Sequence, residues 1–374
     1  MEVSRDYLQK RIIIVTIIIS VIGIVMVFDG SLGLYAGRYH YIVFQSLWMV
    51  LGSIAGFIIY KVDYKLFQKY SFLLMILAIF LLFVVIILSR KINGSTRWIN
   101  LLNFANFQPS EFAKFAFITY MSAWFVKRQN IIENIKTFNE NLKKLLLPFL
   151  AITAFVAGLI VLEKDLGTTI IIILIALFML ILGDDSKYLK LNLLISFLTF
   201  TFAGILAIVI EPYRVQRLLT YLSSSTSNSF LQGAGYQVHQ IMIAIGSGGL
   251  LGVGFTQSVQ KNQYLVGTTS ITDSIFAVLA EEMGLIGSIL LILLYLYLVY
   301  LIFKVAIRSG NPFGKFMVAG IGIWIGIQAM LNIAANIGII PLTGIPLPLI
   351  SYGGSSVIIL LVAIGFVLNI NKKT

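Results

Sequence analysis

The chain has 374 residues, of which 59% are hydrophobic and 11% charged, with a formal net charge of +12. A soluble domain carries about 25% charged residues, so a water-soluble globular fold is excluded. The absence of cysteine removes disulfides, thiol nucleophiles and cysteine metal sites. The basic balance follows membrane topology and is not a nucleic-acid signature.

Several apolar runs reach roughly 17 to 20 residues, enough for a helix to cross a hydrocarbon core about 30 Å thick. They do not alternate as barrel strands would, and lipid leaves only helices or closed barrels. The expected fold is an all-α polytopic integral membrane protein with about ten transmembrane helices, near residues 12–28, 42–60, 72–88, 110–126, 145–162, 166–183, 191–210, 275–303, 316–340 and 352–370. Residues 1–374 read as one transmembrane domain with extracytoplasmic loops at about 89–109 and 211–274. The first run, Ile12–Phe28, has the length to stay as a membrane helix and lacks a small-residue cleavage site. With the N-terminus in the cytoplasm, 18 of the 27 lysines and arginines fall on inner segments and 8 on outer ones, leaving Lys114 in a span. The positive-inside rule then puts both termini in the cytoplasm and the large loop, between helices 7 and 8, outside. Gly52–Gly56 and Gly322–Gly326 are small-residue pairs that suit close helix packing.

In chain order, the polar residues near the membrane are few. Arg97 and Trp98 close the run NGSTRW; as a pair they suit an interfacial anchor, or a phosphate contact with a ring stacked on a sugar or headgroup. Glu111 and Lys114 lie three residues apart on one helix face, as an intrahelical ion pair or a functional group. Glu163, Lys164 and Asp165 fill a connection too short to leave the outer membrane face. Arg214 and Arg217 stand one helical turn apart and suit a lipid phosphate or another anion. Within the loop 211–274, Tyr236–Ile245 is helix-compatible, and Gly246–Gly254 (GSGGLLGVG) is a glycine-rich turn expected to fold back onto the bundle. The run Ser223–Ser229 is expected to move freely.

The stretch Tyr264–Gly284 holds three carboxylates where charge is costly. Asp273 sits at the membrane boundary, where Thr-Asp before a helix is a common N-cap and also a candidate chemical group. Glu281 and Glu282 lie deeper and read as partners of buried polar groups. His40 and His239 lack a companion at metal-ligand spacing and read as ordinary loop residues. The last outer segment, Pro341–Ser356, has irregular composition that is tolerated at that depth only against protein or a water-filled cavity. Its Ser351 and Gly353 are candidates to face a ligand there.

Taken together, NGSTRWI, QPSEFAKFA, EKDLGT, PYRVQRL, GAGYQ, IAIGSGGLLGVG, TDSIFAVLAEEMGLIG and TGIPLPLISYGGSS, in this order over nearly the whole chain, resemble the SEDS family (shape, elongation, division and sporulation; the FtsW/RodA/SpoVE group). PYRVQRL and VQKNQYL lean toward its division branch, FtsW-like. The resemblance implies polymerisation of peptidoglycan glycan strands from lipid II, with a class B penicillin-binding protein as partner. It implies Asp273 as catalytic carboxylate, a role for Arg97 and Trp98, and Glu111 with Lys114 as a buried pair. Where the family commonly carries a Pro-Glu-x-His-Thr-Asp-Phe run, this chain has VGTTSITDS, and Lys164 stands in place of the usual proline.

Glycan extension needs a sugar hydroxyl to attack an anomeric carbon bearing a lipid diphosphate, which calls for a positioned base. It also calls for cations where the leaving group gathers charge. Asp273 suits the first role. Arg97, Lys164, Arg214 and Arg217 suit the second, with Asp165 beside them. The cofactor is unknown; a divalent cation such as Mg or Mn could share the second role. A flippase or transporter for lipid II would use the same cavity without a base, and a non-catalytic scaffold would need no single polar residue.

Overall fold

The computed structural model describes residues 5–32, 38–88, 97–101, 105–222, 234–265 and 267–373. The run Ser223–Ser229 and residues 93–96 of the NGSTRWI motif lie outside the described residues, as does the side chain of Arg217.

The chain is almost wholly helical, as a backbone in lipid must be to satisfy its own polar groups. In order, the elements are α1 (Arg5–Ser31), α2 (Arg38–Lys61), α3 (Tyr64–Lys69), α4 (Ser71–Leu88), a hairpin of β1 (Ile99–Leu101) and β2 (Ala105–Phe107), α5 (Pro109–Glu133) and α6 (Phe138–Asn141). A π-helical turn at Leu142–Leu146 leads into α7 (Leu147–Leu162), followed by α8 (Leu166–Gly183), α9 (Leu189–Ile210), α10 (Pro212–Leu222), α11 (Ala234–Ser247) and α12 (Val259–Gln263). A 3₁₀ turn at Gly267–Ile271 precedes α13 (Ile275–Arg308), α14 (Pro312–Asn336) and α15 (Gly354–Lys373). Among the described residues nine helices are long and apolar enough to cross a membrane. The tenth expected span, α5, is less apolar because it lies inside the bundle. Every residue from Pro109 to Phe125 except Phe112 and Tyr120 is buried, among α4, α8, α14 and α15. At about 1.5 Å per residue its length still exceeds the hydrocarbon thickness.

The first and last described residues sit at one end of the bundle. Asn371 Nδ2 donates to the carbonyl of Arg5 at 3.1 Å, and Lys373 pairs with Asp63 at 3.0 Å. It is the end that the Lys/Arg count expects to face the cytoplasm. The first and last helices thus belong to one wall, where α15 packs along α2. The glycines there bring backbones together: a Cβ on Gly365 would lie 2.2 Å from the carbonyl oxygen of Gly56, and one on Gly56 2.6 Å from that of Leu361. His40 is not in a loop but in the first turn of α2, against Tyr41 and Phe44.

The most unusual backbone lies in α13. Gly284 has φ 64° and ψ −166°, which breaks the helix and frees its peptide groups. The glycine-rich segment takes them up. Val253 and Gly254 donate to the carbonyls of Glu281 and Glu282 at 3.0 and 3.2 Å, while Leu285 and Ile286 donate to Gly249 and Leu250 at 2.9 and 3.2 Å. Gly252 lets the two backbones meet: with φ 84°, a Cβ there would lie 2.0 Å from the carbonyl oxygen of Glu282. A break in a membrane helix is tolerated when other backbone satisfies it, and here the loop does so.

Candidate active site

Asp273 lies in the turn between the 3₁₀ segment and α13. It does not cap the helix: the N-cap is Ser274, without a side-chain cap bond. The half-buried side chain of Asp273 accepts from Thr272 Oγ1 at 3.1 Å through Oδ1. Its turn is gripped through backbone carbonyls on three sides. Asn332 Nδ2 and Asn336 Nδ2 donate to the Asp273 carbonyl at 3.0 and 2.9 Å. Ser351 Oγ donates to the Thr272 carbonyl. The amide of Tyr352 donates to the Ile271 carbonyl at 2.8 Å. Ser351 is therefore a strut, 2% exposed, whose hydroxyl also accepts from the Leu347 amide. The Gly353 amide donates to Gln45 Oε1 at 3.4 Å.

Asn332 and Asn336 belong to a stripe that sequence reading missed. Gln328, Asn332 and Asn336 recur every four residues on α14, so they share one face. Three amides at helical spacing inside an otherwise apolar span were the available signal. Gln328 Oε1 accepts from Lys114 Nζ and from Trp324 Nε1, both at 2.7 Å, and its Nε2 donates to the Pro346 carbonyl at 3.0 Å. Lys114 in turn binds Glu111 at 2.8 Å and stands over the Trp324 ring. Glu111 and Lys114 are each 1% exposed, with protein on every side. They reach the Asp273 turn through α14 and the segment it holds, since Asn332 also donates to the Ile345 carbonyl at 2.7 Å.

The cations gather at the outer ends of α7, α8 and α9. The hairpin leads into Gln108, whose amide donates to Ser355 Oγ at 3.0 Å and whose Nε2 donates to Asp165 Oδ2 at 3.1 Å. Asp165 caps α8, accepting from the Thr168 amide and hydroxyl at 3.1 and 2.9 Å, so both its oxygens have structural partners. Arg97 Nη2 donates to the carbonyl of Lys164, and its Nη1 lies 3.9 Å from Asp165 Oδ1. Trp98 is half-buried beside it, at the start of the hairpin. Lys164 adopts φ 63° and pairs with Glu211 at 3.3 Å. Arg214 donates to the carbonyls of Ala207 and Val161 at 2.7 and 3.2 Å. Burial lowers its pKa from the usual arginine value, Glu211 opposes that shift and Arg97 adds to it. Glu163 lies beneath this group, fully buried, and burial pushes its carboxyl up to about 9, aided by Asp165 and opposed by Arg97.

One wall joins the two groups. The segment after α14 packs on the start of α8, where a Cβ on Gly167 would lie 2.9 Å from the Thr343 carbonyl oxygen. The same segment holds Asn332 through Ile345 and the Asp273 turn through Ser351. Glu281 and Glu282 lie elsewhere. Lys261, buried despite its place in the loop, donates to both Asp29 and Glu282, while Glu281 accepts from Ser258 Oγ and the Val259 amide. Among the described residues no three His, Asp or Glu side chains come together as a metal-ligand set.

These features define a multi-pass helical membrane protein with a carboxylate and a cluster of cations on one face. The chain belongs to the FtsW/RodA/SpoVE family of cell cycle proteins, whose family model matches residues 9–374. It is 35% identical over 374 residues to the probable peptidoglycan glycosyltransferase FtsW of Coxiella burnetii, covering 97% of this chain and 96% of that one. It is 34% identical to the stage V sporulation protein E of Bacillus subtilis, covering 96% of each chain. The fold matches a chain of a solved peptidoglycan synthase complex with a TM-score of 0.76 at 24% identity, covering 97% of both. It also matches RodA of Thermus thermophilus with a TM-score of 0.67 at 22% identity, covering 97% of this chain and 96% of that one.

Proposed function

We propose that this protein is a peptidoglycan glycosyltransferase of the bacterial cytoplasmic membrane. It extends glycan strands from lipid II on the outer face, alongside a class B penicillin-binding protein that cross-links them. The acceptor hydroxyl attacks the anomeric carbon of the lipid-linked chain as the bond to its diphosphate breaks, with inversion. Asp273 takes the hydroxyl proton as general base. The departing diphosphate keeps the bonding electrons, and Arg97, Lys164, Arg214 and Arg217 provide the positive potential for it. Trp98 offers a ring face to a sugar or the lipid chain. Glu111 and Lys114 support the site from within.

The observation that carries this reading is the grip on the Asp273 turn. Asn332, Asn336 and Ser351 spend their side-chain donors on backbone carbonyls of residues 272–273, an investment in the position of one carboxylate. A pathway for transport needs no such fixed base. The test is polymerisation of labelled lipid II by the purified protein with its transpeptidase partner, against Asp273→Ala and Asp273→Asn. Loss of chain synthesis with retained folding is expected; synthesis at the wild-type rate would overturn the assignment.

A further inference from the structure

Glu163 is the C-cap of α7, fully buried, and neither carboxyl oxygen has a hydrogen-bond partner. An ionised carboxylate in that position would lack both water and donors, so the neutral acid is the stable form. Its surroundings make this consequential. The charges acting on it are Asp165, which caps α8, and Arg97 ahead of the hairpin; around these stand Lys164, paired with Glu211, and Arg214, which donates to the Val161 carbonyl near the end of α7. Arg97 is held by a neutral acceptor, the Lys164 carbonyl, and its nearest carboxylate stands off at 3.9 Å with three other donors already on it. Arg97 Nε is also buried without a partner. Three cations and two carboxylates leave this cluster net positive while Glu163 is neutral, and without net charge once it ionises.

We propose that Glu163 is a positioning residue that works by being uncharged: its bound proton leaves the positive charge of Arg97 and its neighbours uncompensated, and so keeps the outer mouth able to hold a lipid diphosphate. An ionised Glu163 would draw the Arg97 guanidinium inward, toward the α7 terminus and away from a ligand. The inference rests on the glycosyltransferase reading for its ligand. Its claim about Glu163 is separate from that reading.

The experiment is titration of the full-length protein in detergent with a short polyprenyl diphosphate, at low salt, from pH 7.5 to 10. Above pH 7.5 the ligand's own charge changes little. Wild type should weaken about tenfold over this range, the scale of losing one nearby charge interaction. Glu163→Gln should match wild type at pH 7.5 and weaken less than about threefold. Glu163→Met, apolar and of similar length, should behave like the amide and serves if Glu163→Gln does not fold. In parallel, the infrared difference between wild type and Glu163→Gln at pH 7.5 should show the carbonyl stretch of a protonated acid. Superposed pH curves for wild type and both variants, or no such stretch, overturn the inference alone. Absence of binding at every pH overturns the ligand reading together with it.

Discussion

Asn332 holds Asp273 by its backbone: the side-chain amide donates to the Asp273 carbonyl at 3.0 Å, and the same amide donates to the Ile345 carbonyl at 2.7 Å. One nitrogen thereby ties the turn before α13 to the segment after α14. It fixes where Asp273 stands without occupying the carboxylate.

Asn332→Leu should therefore act on rate more than on substrate affinity. It strips a donor from two carbonyls, while Asn336 still supports one of them. A small displacement of a base costs up to roughly 100-fold in turnover. Stability should fall by about 1 to 3 kcal/mol, as expected for carbonyls left unpaired. Steady-state polymerisation kinetics and thermal melting in detergent check both parts.

Lys114→Met should destabilise strongly, by roughly 3 to 5 kcal/mol, because it leaves Glu111 buried without its counter-charge. Adding Glu111→Gln should recover much of that loss, since the pair would then be gone from both sides. A double-mutant melting cycle measures the recovery. Equal melting temperatures for Lys114→Met and the double variant would show that the two residues do not stabilise one another.

The docked glycine segment gives a contrast between two neighbours. Gly252→Ala should abolish the native fold or cost more than about 3 kcal/mol, because it combines a φ of 84° with a Cβ 2.0 Å from the Glu282 carbonyl oxygen. Gly249→Ala should cost only about 1 kcal/mol, since φ is 53° and nothing lies within 4 Å. Yields of folded protein and melting temperatures separate the two.

Glu163 also predicts a pH dependence of stability. Its carboxyl is raised to about 9 in the folded protein from an ordinary 4.5. Between these values the unfolded chain has lost a proton that the folded protein keeps, so stability declines as pH rises through this window. Below it both states are protonated and the effect vanishes. The melting temperature of Glu163→Gln minus that of wild type should thus grow between about pH 5 and pH 9 and then level off.

The membrane class and span positions were legible because lipid imposes one rule on every residue of a span. Local spacing also exposed Glu111 with Lys114, and the order of the spans put Arg97, Lys164 and Arg214 at one face. What stayed hidden was long-range. Lys261 lies in sequence within the long loop, and only the fold sets it between Asp29 and Glu282, residues far apart in the chain. Asp273 reads both as a helix cap and as a candidate chemical group, because local sequence cannot show that Ser274 takes the cap position. Asp165 reads as a ligand contact until its bonds to Gln108 and Thr168 are seen. The amides of α14 were visible, but their meaning depended on which carbonyls came to meet them.

The pairing of α2 with α15 has a consequence for how the protein is made. Gly56 and Gly365 meet backbone to backbone, yet the ribosome delivers α2 well before α15. While the elements between them are made, α2 must wait in the bilayer with lipid against the groove that α15 will fill. A nascent chain that stops short of α15 leaves that groove open. This wall therefore closes at one late seam, and a chain ended at Gly365 should be an inserted but incompletely packed protein for membrane proteases to remove.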